Sequence, residues 1–219
     1  MLKAVIAFGG RSVREQVLMD VLWPGADGDT ARFALTTALH RLRRLLGHEE
    51  ALIRKDNMVS LDARYCWVDV WAVERLIERA DALISRSPKS DRIWEETICC
   101  VERAAELYRG PLLGGDADAP QTPLADRLDR RLVRHLVDIG SHWERADRPE
   151  AAAHCYEKGL SIDPCAEDVS RRLMNVYHRL GRRSDALDVY RSCQDVLATR
   201  LGVTPSTETE ALLKRVRRS

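Results

Sequence analysis

A run of basic and hydroxyl side chains between Asp29 and Gly47 has the composition of a surface that contacts DNA. In a helix, these side chains would share one face: Arg32, Thr36, Thr37, His40, Arg41, Arg43 and Arg44. The apolar residues recur at steps of three and four, which predicts a buried stripe on the opposite face. This stripe consists of Leu35, Ala38, Leu39, Leu42, Leu45 and Leu46. No acidic residue lies between Asp29 and Gly47, so every charged side chain of the outer face would be basic.

This basic face allows two interpretations. As a DNA-reading helix about 25 Å long, it would fit a major groove while its apolar stripe packs on a core. We then expect base-edge contacts from Thr36, Thr37, His40 and Arg41. We expect phosphate contacts from Arg32, Arg43 and Arg44. In the alternative interpretation, the same residues are the solvated surface of an ordinary core helix.

The residues after this helix favour the first interpretation. Leu52–Lys55 and Met58–Leu61 have the pattern of two short strands. Asp56-Asn57 between them tolerates the positive φ of a tight turn. At or near the tip of this hairpin we expect Arg54, Lys55 and Asn57. A basic helix followed by a hairpin with a basic tip is typical of a winged helix-turn-helix, in which the hairpin (the wing) holds phosphate or enters the minor groove.

Two further helices are predicted before the basic one. Residues 2–8 have the composition of the end of an apolar helix. Ser12 is expected to cap a second helix, with Glu15 in the capping-box position. Asp29 or Thr30 can cap the basic helix with a side-chain oxygen. The predicted order of helix, helix, basic helix and hairpin is that of a three-helix DNA-binding core with a wing.

The stretch LWPGADGDTARFALTTALHRLRRLLG resembles the OmpR-type winged helix of the antibiotic regulatory protein (SARP) family and related activators. The resemblance covers residues 2 to about 71, and it implies sequence-specific DNA binding by the helix and the wing. Members of that family usually have a small β-sheet before the first helix. This sequence begins within that helix, so we expect a fragment of a longer regulator.

The rest of the chain has the pattern of helical repeats. Aromatic, small and aliphatic residues recur at a fixed offset of 34 residues, the period of tetratricopeptide repeats. The matched pairs are Ile139 with Leu173, Trp143 with Tyr177, Asp147 with Gly181, Ala152 with Ala186, and Tyr156 with Tyr190. Small residues allow paired helices to approach closely, and the aromatic residues fill the space between successive pairs.

Two segments of this region resemble the bacterial transcriptional activation domain that follows the winged helix in the same regulators. They are ELYRGPLL at residues 106–113 and RLGVTPSTETEALLKRV at residues 200–216. The resemblance spans roughly residues 92–217. It implies an all-helical, repeat-like module that mediates regulation, self-association and activation at promoters.

We therefore predict a mainly α protein, in which a winged helix-turn-helix domain with a short β-hairpin wing precedes an all-α, tetratricopeptide-like repeat domain. The DNA-binding domain would comprise residues 1–72. A connecting helix and linker would follow over residues 73–91, with the polar SRSPKSD stretch breaking the helix. Residues 92–219 would form the activation domain.

The composition limits the other classes of function. The formal net charge is only +1, so any DNA binding must come from a local patch. Six cysteines without a Cys-x-x-Cys pair or a framework spacing, and no secretory signal, favour reduced thiols and a cytoplasmic protein. The histidines and cysteines lack the spacing of a structural zinc site, and no catalytic motif is found. We expect no metal, no cofactor and no enzyme activity.

The sequence therefore predicts a sequence-specific DNA-binding transcriptional regulator that acts as an activator. Its partners would be promoter DNA, RNA polymerase or another regulatory protein, and a second copy of itself, but no membrane. The alternative is a helical-repeat adaptor whose winged helix contacts proteins instead of DNA. The absence of acidic residues from the basic face favours the regulator.

Overall fold

The computed structural model describes residues 1–86, 91–110 and 123–218. The chain forms two compact units. The first comprises Met1–Arg75 with Leu107–Leu128, and the second comprises Leu76–Glu106 with Asp129–Ser219. The division into residues 1–72, 73–91 and 92–219 remains a proposal.

Residues 2–61 of the first unit form a winged helix-turn-helix, as predicted. Its helices are α1 (Leu2–Ala7), α2 (Glu15–Leu22) and α3 (Gly28–Leu46). Its strands are β1 (Val13–Arg14), β2 (Leu52–Lys55) and β3 (Met58–Leu61), which form an antiparallel sheet in the order β1-β3-β2. The hairpin is the predicted one. Asp56 and Asn57 have φ angles of 51° and 56°, because a two-residue turn of this kind requires positive φ at both positions.

Two helix starts differ from the predictions. Ser12 does not cap α2, because the next two residues pair with β3; the Ser12 amide instead donates to Ser60 Oγ at 2.7 Å. The cap of α3 is Asp27, whose carboxylate accepts from the amides of Asp29 and Thr30 at 3.1 and 2.9 Å. Both amides are left without helical partners at a helix start, and Asp27 satisfies them.

A short 3-10 helix covers Glu49–Ala51 before β2, and the elements described after β3 are α-helices. They are α4 (Asp69–Arg86), α5 (Asp91–Leu107), α6 (Pro123–Arg145), α7 (Pro149–Ile162), α8 (Glu167–Arg179), α9 (Arg183–Leu201) and α10 (Thr207–Arg218). Most of the predicted linker at 85–91 lies outside the described residues.

The predicted repeat is confirmed by the packing of the second unit, where α6 with α7 and α8 with α9 are equivalent helix pairs. The small residues Ala152 and Ala186 are completely buried. Tyr156 is also completely buried, and its hydroxyl donates to Glu144 Oε1 at 2.6 Å. Burial and this bond to an acceptor raise the pKa of Tyr156 to about 12. The matched Tyr190 likewise donates to a carboxylate, that of Glu210.

Gly140 on α6 lies against the ring of Tyr156, and this contact gives a first testable prediction. A Cβ atom at position 140 would lie 2.4 Å from Tyr156 Cε1. Gly140→Ala should therefore lower the free energy of unfolding by about 1–3 kcal/mol, because the buried ring must move. Thermal or urea unfolding measures the change.

Gly159→Ala is the matched control, since it is also a glycine-to-alanine change within a repeat helix. Its Cβ would lie 3.4 Å from Val169 Cγ1, which is close to ordinary contact. The higher helix propensity of alanine should then leave the protein unchanged or stabilise it by up to about 1 kcal/mol. Equal effects of the two substitutions would contradict the predicted role of Gly140.

Candidate nucleic-acid interface

The solvent-facing side of α3 contains all seven side chains predicted for that helix. Ala31, Leu35, Leu39 and Leu42 are buried and anchor the helix on the core. Five of the predicted residues are exposed: Arg32, Thr36, His40, Arg41 and Arg44. Thr37 and Arg43 are half-buried. The hairpin side chains Lys55 and Asn57 are exposed at and beside its turn.

At 100° per residue, this side of α3 divides into three strips. The strip opposite the buried stripe, which we call the outward row, consists of Phe33, Thr37, His40 and Arg44. The hairpin flank, on the side of β2, consists of Arg32, Thr36 and Arg43. The apolar flank, on the other side, consists of Ala34, Ala38, Arg41 and Leu45.

The hairpin flank fastens the wing to the helix. Arg43 donates through Nε to the carbonyl of Leu52 at 3.0 Å. The hydroxyl of Thr36 donates to the Arg32 carbonyl at 2.9 Å and accepts from an Arg54 guanidinium nitrogen at 3.0 Å. These polar groups, predicted as DNA contacts, thus also hold β2 at a fixed position beside α3.

Arg54 lies in β2 and its guanidinium is directed at α2. It forms a two-point ion pair with Glu15, with Nε–Oε1 and Nη2–Oε2 distances of 2.6 and 2.7 Å. Glu15 is only 6% exposed. The hydrogen bonds from Arg54 lower the pKa of Glu15 and outweigh the opposing effect of burial. Arg54 therefore joins the wing, α2 and Thr36 of α3.

Two exposed apolar side chains on α3 were not expected. Leu45, assigned to the buried stripe from the sequence, is 83% exposed, and this assignment was wrong. At the last turn of α3 it lies to one side of the buried stripe and lines a shallow apolar groove with Met1, Leu2 and Trp23. Phe33, which the sequence analysis did not single out, is 76% exposed. On a helical wheel centred on Leu35 and Leu42, Phe33 lies on the opposite side, and this position indicates its exposure from the sequence.

The described residues contain no group of three or more histidine, cysteine, aspartate or glutamate side chains that could hold a metal ion. Over the same residues, no helix combines the length and the apolar composition that crossing a bilayer requires.

Comparison with known proteins gives consistent matches. The family model of the bacterial transcriptional activator domain matches residues 68–217. The regulatory protein AfsR of Streptomyces griseus is 27% identical over 228 residues, which cover 100% of this chain and 22% of the relative. The transcriptional regulator RedD of Streptomyces coelicolor is 27% identical over 215 residues, which cover 94% of this chain and 58% of the relative. The chain thus spans less than two thirds of each of these two relatives.

A solved structure supports the fold. It is that of Mycobacterium tuberculosis EmbR in complex with a low-affinity phosphopeptide, with a TM-score of 0.64 and 23% identity. The match covers 99% of this chain and 57% of that chain. Together with the wing and the repeat packing, it confirms the predicted fold class.

Proposed function

We propose that this chain is a sequence-specific DNA-binding regulator of transcription. The proposal starts from its family: the chain belongs to the bacterial transcriptional activator domain family, as its sequence predicted. The winged helix would read promoter DNA, and the repeat module would act on RNA polymerase or another regulatory protein. A second copy of the chain would be a further partner. The proposal includes a cytoplasmic location and no enzyme activity.

One observation carries the proposal: the outward row and both flanks of α3 are free of acidic side chains from Thr30 to Leu46, and a basic wing lies beside them. Between Thr30 and Lys55 there are six arginine and lysine residues against Glu49 and Glu50, a local charge of 6 − 2 = +4. Helix and wing contacts of this kind position a protein on phosphates and bring side chains to base edges.

Within this proposal the candidates are ranked by the hydrogen bonds that their side chains form within the domain. Thr37, His40 and Arg41 are the candidates for base contacts, together with Thr36. Arg32, Arg44 and Lys55 are the candidates for phosphate contacts, together with Arg43, Arg54 and Asn57. Thr36, Arg43 and Arg54 already form hydrogen bonds within the domain, so we rank them below the other candidates.

A salt titration of DNA binding tests the proposal. Preferred sites are first selected from random duplexes, and affinity is then measured at several salt concentrations on selected and scrambled DNA. If about 4–6 phosphates are neutralised, log affinity should fall against log salt with a slope of about −4 to −5. Arg44→Ala should weaken binding to all duplexes and flatten this slope by about one.

Arg218→Ala is the charge-matched control, because Arg218 is exposed near the end of α10. It should leave the affinity and the slope unchanged. Failure to select any sequence, or an affinity independent of salt, would contradict the proposal.

A second candidate is the adaptor, in which the winged helix contacts a protein. The exposed Leu45 and the apolar groove at its side favour it. If the adaptor interpretation is correct, Leu45→Ala should weaken binding of the partner protein. Arg44→Ala should then leave the affinity for DNA unchanged.

A further inference from the structure

The outward row begins with an aromatic side chain in the first turns of α3. Phe33, one of two phenylalanines in the chain, is 76% exposed. The side chains that follow it along the row are Thr37, His40 and Arg44, at steps of four, three and four residues. The eleven residue steps from Phe33 to Arg44 extend about 16 Å along the helix axis, so the row spans several successive base pairs.

Phe33 stabilises no core, because it lies on the side of α3 opposite the buried Leu35 and Leu42. Exposure of a large apolar group to water is unfavourable in the free protein. Contact of the ring with another apolar group removes this unfavourable free energy. The major groove presents one apolar group at base edges, the 5-methyl group of thymine.

We infer that Phe33 is a specificity-determining residue that packs against a thymine methyl group in the major groove. The inference rests on the proposed DNA-binding function and adds a chemical class of ligand to it. In helix-turn-helix proteins the N-terminal part of the recognition helix contacts base edges. Phe33 occupies that part of α3, whereas Arg44 at the other end would meet phosphate.

The apolar groove beside α3 is the competing explanation, because Phe33 also borders it. Leu45 borders the same groove at the opposite end of the helix and is even more exposed, at 83%. A protein that covers the groove would contact both residues. A base pair that contacts Phe33 in the first turns of α3 would not reach Leu45, because the twelve residue steps between them extend about 18 Å along the helix.

Replacement of thymine by deoxyuridine removes only the methyl group and therefore tests the inference directly. In the selected duplex, each thymine is replaced in turn, and the affinity of the full chain is measured. At one position or two adjacent ones, the replacement should weaken binding about fourfold per methyl group. Phe33→Ala should bind the thymine duplex more weakly and show no further loss with deoxyuridine.

Leu45→Ala is the matched control and should retain the full response to deoxyuridine. Phe33→Ala should melt as the parent does, since the side chain is exposed. Selective binding by both proteins with an unchanged response to every deoxyuridine would overturn the inference and leave the proposed function intact. If Phe33→Ala and Leu45→Ala both lost the response to deoxyuridine, the inference would be overturned in favour of a protein contact along the groove. Absence of selective binding by the parent would overturn the proposed function, and the inference with it.

Discussion

Tyr156→Ala is expected to lower the free energy of unfolding of the repeat module by about 3–5 kcal/mol. The ring is completely buried and packs in one hydrophobic cluster with Ala186, Val169 and Leu173. Removal of the ring leaves a cavity between successive helix pairs, which rigid helices can fill only in part. Urea unfolding followed by circular dichroism measures the loss.

Tyr156→Phe separates the ring from its hydroxyl and serves as the control. It keeps the apolar contacts and removes the hydrogen bond to Glu144. The expected loss is about 0.5–1.5 kcal/mol, the usual net value of such a bond. If Tyr156→Ala were no more destabilising than Tyr156→Phe, the ring would not join the helix pairs, and the energetic basis of the repeat would be wrong.

Features that depend on neighbouring residues were predictable from the sequence. The hairpin over Leu52–Leu61 follows from Asp56-Asn57, since few residue pairs tolerate positive φ at both turn positions. The repeats follow from an offset of 34 residues, because each unit must bury an equivalent face against the next. In both cases the local preference and the global fold agree.

Features that depend on distant residues were not predictable. Glu15 had the pattern of a capping-box residue, but in the structure its partner is Arg54, 39 positions away. β1 is two residues long and exists only through pairing with β3, so no local periodicity indicates it. Leu45 fits an apolar period, yet it lies to one side of the buried stripe, where the core does not cover it. The exposed Phe33 is the reverse case, an apolar residue in an outward row whose other members are polar or charged.

Arg54→Ala should distinguish a structural role of this wing residue from a DNA contact. Its removal leaves the buried Glu15 carboxylate without its two-point partner. The loss should be smaller than that for a fully buried ion pair, because the Arg54 side chain is 30% exposed and water can reach the Glu15 carboxylate. We therefore expect a loss of about 1–3 kcal/mol in the stability of the winged helix at neutral pH. Lys55→Ala, one residue further along β2, should change stability by less than about 0.5 kcal/mol.

The pH dependence of this loss identifies the ion pair. Because pairing lowers the pKa of Glu15 in the folded protein, its contribution is present above the unfolded pKa of about 4.3 and is lost as the pH falls through the lowered folded value. The difference in stability between parent and Arg54→Ala should therefore shrink below about pH 4.

DNA titrations at neutral pH separate the two wing residues. Lys55→Ala should flatten the salt slope by about one. Arg54→Ala should weaken binding by loosening the wing, with a smaller change in the slope. An Arg54→Ala protein that melts like the parent and yet loses a full unit of slope would identify Arg54 as a phosphate contact. The ion pair with Glu15 would then be one that the protein exchanges for DNA.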